Sequence, residues 1–223
     1  MTILRPALAA DPRLAAGFTT RAFAPADEPL DAVRARLAAD EGFASVASVG
    51  QVHGAEVAVV TAGGHTDAHD GLVTATPGVL LTVMSADCAL VLLADPEAGV
   101  VGACHSGWRG TVAGIAGRTV EAMRRLGAER ITGYVGPCIS AEAFETGEDV
   151  ADRFPASSVV RRPEWPRPHV DLRSDLARQL AEVGVSDVEI SDACTVGGVD
   201  RFFSYRAEAG QTGRMLGFVG LRG

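Results

Sequence analysis

No stretch of this chain holds the roughly twenty consecutive apolar residues that a membrane-spanning helix needs. The most apolar region, "VLLTVMSADCALVLLADPEAGVVGAC", is interrupted by Asp87, Asp95, Pro96 and Glu97, and it reads as short buried strands. The start, "MTILRPALAADPRL", has neither a compact basic segment nor a continuous apolar one. No secretory signal is therefore expected, and a cytoplasmic location is. A basic surplus is missing too. The formal net charge is -8, which argues against DNA or RNA as a partner while leaving room for a small local anion site. Repeats, low-complexity tracts and obvious linkers are absent. A chain of 223 residues is thus expected to form a single domain, residues 1–223, around a substantial core.

Also missing is any CxxC pair. The four cysteines, Cys88, Cys104, Cys138 and Cys194, are scattered, and in a reducing compartment they are expected to stay as thiols. Cys104 and Cys194 read as small buried hydrophobes.

Helix signals occur in four places. "DEPLDAVRARLAADEG" has acids and a proline at its start, Leu30, Val33 and Leu37 on one face, and Gly42 at its end. "TVAGIAGRTVEAMRRLG" and "SDLARQLAEVG" carry apolar residues near helical spacing and stop at Gly127 and Gly184. "SAEAFETGEDVADRF" begins with a Ser cap. Strands are expected at "SVASV", "EVAVV", "GLVTA", "VLLTVM", "ALVLLA", "GVVGAC", "ITGYVG", "VEI", "FFSY" and "MLGFVG". Several are apolar throughout and so buried on both faces. Their order is not a regular alternation with helices. That predicts an α+β fold with a large mixed β-sheet and flanking helices.

Chemistry concentrates where polar residues end apolar strands. "QVHG" offers His53, "MSADC" offers Asp87 and Cys88, and "GACHSGWRGT" offers His105. His53, Cys88 and His105 make a nitrogen, sulfur, nitrogen set that zinc accepts, with a fourth position left for water or substrate. Their spacings of 35 and 17 residues are no local motif, and on spacing alone three ordinary core residues account for the pattern better. In "HSGWRGT" two glycines bracket Trp108 and Arg109 before a helix. This is no P-loop, since Lys is absent from it and the spacing is wrong. Free amides and a guanidinium there suit a phosphate or carboxylate, and a tight turn with Arg109 in an ion pair suits the pattern as well. His65 and His69 fall in a glycine-rich loop and are expected to be solvated. Asp70 opens "GLVTA" and is placed to face the site. His169 is expected to contact a helix entry.

The segments "QVHGAEV", "DGLVT", "SADCALVLLAD", "HSGWRGTVAGI", "GPCIS", "FETGEDV", "HVDL", "CTV", "FFSYR" and "TGRMLGF" occur in this order. In that order, across residues 17 to 221, the chain resembles the YfiH/laccase-domain family. The resemblance implies a single α+β domain of unusual topology, similar to bacterial toxin deamidases. It makes His53, Cys88 and His105 the ligands of a zinc ion, with copper as the alternative metal, and the catalytic residues. It implies phosphorolysis of adenosine, inosine, guanosine and methylthioadenosine together with deamination of adenosine. The partners would be a purine nucleoside and phosphate, with Arg21, Arg109, Arg206 and Asp70 as the residues meeting them. Three departures from the family pattern stand out. "AFAPADEPL" is shorter than the family's loop after "GFTTR", which bears on the lip of the pocket. Ser85 replaces a Thr, and a Cys after "GPCIS" is missing.

Other readings use the same residues. Cys88 with His105 as its base would make a thiol hydrolase or amidase. A His₂Cys set also suits copper and phenol oxidation, although the further histidines of a multicopper cluster are lacking. A metal-binding module without turnover is the non-enzymatic reading.

Overall fold

Strands apolar on both faces must be covered on both sides, and that requirement organises the whole molecule. The computed structural model describes residues 2–223. In chain order its elements begin with β1 (Ile3–Leu4), β2 (Leu14–Thr19), α1 (Leu30–Glu41), β3 (Ser45–Val49), β4 (Val57–Val59), β5 (Gly64–Thr66), β6 (Gly71–Thr74) and β7 (Val79–Ser85). Next come β8 (Ala89–Asp95), β9 (Val100–Ser106), α2 (Trp108–Val112), α3 (Ile115–Arg125), β10 (Thr132–Val135) and α4 (Glu148–Ala151). The series closes with β11 (Val159–Val160), β12 (His169–Val170), α5 (Leu172–Glu182), β13 (Val188–Ile190) and β14 (Met215–Leu221).

The fold is α+β, as expected, but β11 and β12 pair apart as a small antiparallel hairpin, and instead of one large sheet the other twelve strands divide between two six-stranded mixed sheets. Their orders are β1-β2-β14-β7-β3-β5 and β13-β10-β8-β9-β6-β4. Twisted sheets of more than about ten strands tend to split and stack, and here the two inner faces build one core. Phe18, Leu81, Val83 and Val219 of the first sheet meet Leu72, Leu90, Leu92 and Ala103 of the second. On the outer face of the second sheet, Ile115, Val120 and Met123 of α3 and Leu176 and Leu180 of α5 cover Val91, Leu93 and Cys104. On the outer face of the first, Val33 and Leu37 of α1 cover Leu80 and Phe218. Residues 80 and 81 of β7, and 90 and 91 of β8, thus face opposite layers, as a pleat of period two requires. Each fully buried Leu or Val contributes about 1.5–3 kcal/mol. No helix among the described residues is long and apolar enough to cross a membrane.

Four local expectations are corrected. The helix read across 111–127 is two helices, broken where Gly114 takes a φ of 76°. "SAEAFETGEDVADRF" forms only the short α4, because the amide of Thr146 pairs with the Pro168 carbonyl and the amide of Val170 with that of Phe144. "FFSY" is a turn, not a strand; Phe202 and Phe203 are buried there against Met215. Finally, β2 and β5 form where no strand was read: Ala15, Ala16 and Gly17 give β2 a weak apolar pattern, and β5 contains His65 on an exposed edge.

The topology gathers the site at one end of the sandwich. β3, β5 and β7 run parallel, and so do β4, β6 and β8, through the antiparallel pairings of β6 and β8 with β9. Each time the chain leaves the first sheet at the end of β3, β5 or β7, it enters the second through a short crossing. The crossings are residues 50–56, 67–70 and 86–88. β9 ends at this same edge, being antiparallel to β8, and β14 starts there, being antiparallel to β7.

At the opposite end, Asp95 secures the closure of α3 onto the sheet. Its carboxylate is 1% exposed and accepts the amides of Ala98, Glu129 and Arg130. Burial alone would push the carboxyl up, but those amides outweigh it and hold it below the usual range. The stability this contributes is present above the unfolded-state value of about 3.9 and fades as pH falls through the lower folded-state value. Asp95→Asn is expected to cost about 1–3 kcal/mol at pH 7. Urea unfolding should show the gap from the parent constant between pH 7 and 5, narrowing only below about pH 3.9. A gap that closes already at pH 5 would contradict the assignment.

Candidate metal centre and its cleft

The first crossing carries His53. Gln51 holds this loop to the end of β7 like an added strand residue: Nε2 donates to the Met84 carbonyl and Oε1 accepts from the Met84 amide, both at 2.7 Å. Gln51 and His53 have φ of 33° and 61°, in the left-handed region that side-chain-bearing residues avoid. What offsets this is Asp70, from the second crossing. Its carboxylate accepts the amides of Val52, His53 and Gly54 at 2.7–3.0 Å, so three consecutive amides close around one charge.

Asp70 is wholly buried and also accepts from Nδ1 of His105 at 2.8 Å. A carboxylate can only accept, so Nδ1 carries a proton and Nε2 of His105 is the nitrogen left for a metal. The third crossing carries Cys88, and β9 delivers His105 beside it. The ligand atoms of His53, Cys88 and His105 lie within 4.8 Å of one another, and the two imidazoles meet edge to face with centroids 4.8 Å apart. At that separation His53, Cys88 and His105 could hold one ion between them after small side-chain rotations. The donor set fits zinc, and it fits copper as well.

Close approach fixes Gly107 behind these ligands. A Cβ there would sit 2.8 Å from Cys88 Sγ and 3.0 Å from His53 Cδ2. Without a metal, the electrostatics favour a thiolate at Cys88 beside a charged imidazolium at His105, and a metal would have to displace the proton on Nε2 of His105. Burial raises the Cys88 thiol, yet hydrogen bonds and charge from His105 and His53 prevail and shift it down. Burial likewise opposes a charged His105, but Asp70 and Cys88 prevail and shift it up. Asp70 is held below its ordinary value despite burial, by His105 and the amides of Gly54 and Val52. By contrast, burial pushes Cys104 up to about 12 and Cys138 up to about 11. All four cysteines are unbridged.

Above the ligands opens a cleft of about 600 Å³ walled by Trp108, Phe144 and Tyr205, with Arg109, Arg206 and Arg214 on its rim. None of these three arginines pairs with a carboxylate among the described residues, unlike most others in the chain. Arg109 lies over Trp108, 4.3 Å from the ring centroid, and Arg206 donates to the carbonyls of Ala143 and Glu145. Arg214 donates to those of Thr212 and Gly213.

Of the four residues expected to meet substrate, Arg109 and Arg206 line the cleft and two do not. Arg21 is committed to Glu208 and the Phe202 carbonyl and lies over the Phe203 ring. Asp70 is spent on His105 and the His53 loop. His65 and His69 lie on the β5 edge and the second crossing, bonded to Ser48 and the Asp67 carbonyl. His169 bonds the Ala141 carbonyl and stacks on Trp165; the cap of α5 is Asp171. Sequence reasoning passed over Gln51, Gly107, Arg214 and the contacts of Asp87. The motifs "QVHGAEV", "HSGWRGTVAGI", "SADCALVLLAD" and "TGRMLGF" contain them, but nothing in the sequence pointed to these contacts.

Comparison with known proteins agrees with this geometry. The family described as multi-copper polyphenol oxidoreductase laccase matches residues 22–222. A protein of Deinococcus radiodurans named purine nucleoside phosphorylase is 49% identical over 202 residues, covering 86% of this chain and 78% of its own. Adenosine deaminase RL5, from an unknown prokaryotic organism, is 38% identical over 155 residues, 65% of this chain and 59% of its own. The crystal structure of YlmD from Geobacillus stearothermophilus superposes with a TM-score of 0.87 at 31% identity, over 100% of this chain and 97% of that one. A sandwich matched end to end and a family match across residues 22–222 place this chain in the multi-copper polyphenol oxidoreductase laccase family, the YfiH/laccase-domain group that its motifs resemble.

Proposed function

We propose that this protein cleaves purine nucleosides by phosphorolysis and deaminates adenosine in the same cleft, in the cytoplasm, with a zinc ion held by His53, Cys88 and His105. The observation that carries the reading is the pairing of this candidate ligand set with three arginines that line the same cleft and have no carboxylate partner among the described residues. In a chain of net charge -8 without a single lysine, an anion has few other places to bind. A zinc ion there would supply Lewis-acid polarisation of an oxygen ligand. The chain's own groups do the rest. Trp108, Phe144 and Tyr205 offer flat apolar faces to a purine. Arg109 and Arg206 orient phosphate so that one of its oxygens bonds to C1′ of the ribose as the bond to N9 breaks, with the leaving base taking up a proton.

Chromatography after incubation with adenosine tests this. Adenine and ribose 1-phosphate formed only with phosphate report phosphorolysis, and inosine formed without it reports deamination. No product in either mixture, from protein holding one zinc, removes the proposal. Arg109→Ala is expected to raise the phosphate KM about tenfold with metal content unchanged. A loss of metal or of folding would instead make Arg109 structural.

One feature favours a second reading. Cys88, His105 and Asp70 stand in the order of a nucleophile, its base and an orienting acid. Alkylation kinetics separate the two: a metal-held thiolate is shielded, whereas a catalytic thiol in metal-free, active protein reacts fast.

A further inference from the structure

Asp87 sits next to Cys88 in the third crossing, lines the cleft and is 8% exposed. Its φ of 92° belongs to a region that L side chains rarely adopt. Such a conformation persists only when its surroundings over-determine it, and here three separate segments do. The carbonyl of Asp87 accepts the Ile139 amide at 2.9 Å. Oδ1 accepts from the Thr195 hydroxyl at 2.6 Å, and Oδ2 accepts from the Arg206 amide at 2.7 Å. The two carboxylate partners lie 108 and 119 residues away in sequence. Both oxygens thus hold groups that other segments of the chain bring to the cleft. Asp87 is the one residue that joins the chain to Cys88 on one side and grips the backbone of Arg206 on the other.

We infer that Asp87 is a positioning residue that sets where Arg206 holds phosphate relative to the ligand set. This rests on the phosphorolytic reading above. The guanidinium of Arg206 is already braced by the Ala143 and Glu145 carbonyls at 3.0 and 3.1 Å. Two of its five N–H groups are used there, and the others remain for an anion. With the amide of the same residue fixed by Asp87, both ends of Arg206 are anchored, and the arginine is pre-organised for its ligand.

Two substitutions separate geometry from charge. Asp87→Asn can still accept the Arg206 amide through its carbonyl and donate to the Thr195 hydroxyl, and Asn tolerates a positive φ. Asp87→Gly removes both side-chain bonds while relieving the backbone conformation. The zinc-loaded full chain is assayed for KM of phosphate and of nucleoside, for metal content, and for inorganic phosphate binding by calorimetry. The Gly variant is expected to raise the phosphate KM and weaken phosphate binding about tenfold or more. Nucleoside KM should change far less, metal content should not change, and the Asn variant should stay within about threefold of the parent. Equal losses in the Asn and Gly variants would mean that the charge matters and overturn the inference. So would a fall in metal content, or parallel rises in both KM values. Should the Gly variant not fold, Thr195→Val removes one bond alone and must shift phosphate binding in the same direction. If the parent binds phosphate without cleaving nucleosides, the phosphorolytic reading fails while calorimetry still decides the role of Asp87. A parent that does neither ends both.

Discussion

Cys88→Ser is expected to empty the metal centre. A serine hydroxyl does not ionise near neutral pH, and it would be a poor ligand where, on the proposed reading, a thiolate forms one of three protein bonds. Structural zinc sites gain about 10–16 kcal/mol from their full ligand set. Losing one ligand is therefore expected to weaken binding on the order of a thousandfold. After dialysis against a chelator, elemental analysis should find about one zinc per parent chain and essentially none in the variant. Circular dichroism should be unchanged, since Cys88 is only half-buried. A variant that keeps its metal but loses turnover would overturn the ligand assignment and favour Cys88 as a nucleophile.

Asp70→Ala is expected to have the largest effect on stability. The substitution leaves four donors without their acceptor: the amides of Val52, His53 and Gly54, and Nδ1 of His105. An unsatisfied buried donor costs about 1–3 kcal/mol. The Val52 and His53 amides belong to exposed residues that water can reach, so a total of about 3–5 kcal/mol is the expectation. That is a large share of the 5–15 kcal/mol that holds a typical domain together. With the His53 loop released and the His105 ring free to turn, metal affinity should drop a further 10- to 100-fold or so. Thermal unfolding and zinc titration check both effects. A variant with the parent's melting temperature would show that water replaces the carboxylate.

The same residue shows where sequence reasoning reached and where it stopped. The strands were legible because β7, β8, β9 and β14 are apolar on both faces, and a short apolar run bounded by turn residues is what a doubly covered strand requires. Their division between two sheets was not legible, since nothing in an apolar run says which of two layers it joins. That division places His53, Asp70 and Cys88 on successive crossings, so the spacings of 35 and 17 residues look arbitrary until the crossings are seen. Family motifs pointed to His53, Cys88 and His105 as candidate ligands, which lie together; the role of Asp70 needed the structure. Arg21 and Arg206 look alike as residues near strand ends, yet Glu208 claims the guanidinium of the first, and no acid among the described residues pairs with that of the second. Asp87 was visible as an interruption of apolar sequence, but its two partners come from more than a hundred residues downstream.

The position of β14 bears on how the protein is made. β14 lies between β2 and β7, pairing antiparallel with both. During synthesis β2 and β7 leave the ribosome without the strand that separates them, which follows about 130 residues later, a wait on the order of ten seconds. By then residues 53 to 105, with all three candidate metal ligands and Asp70, are already outside. Through that interval two apolar strand edges stand open to pairing with other chains. Premature termination before residue 215 would leave β2 and β7 without the strand that joins them, and a sheet that cannot close.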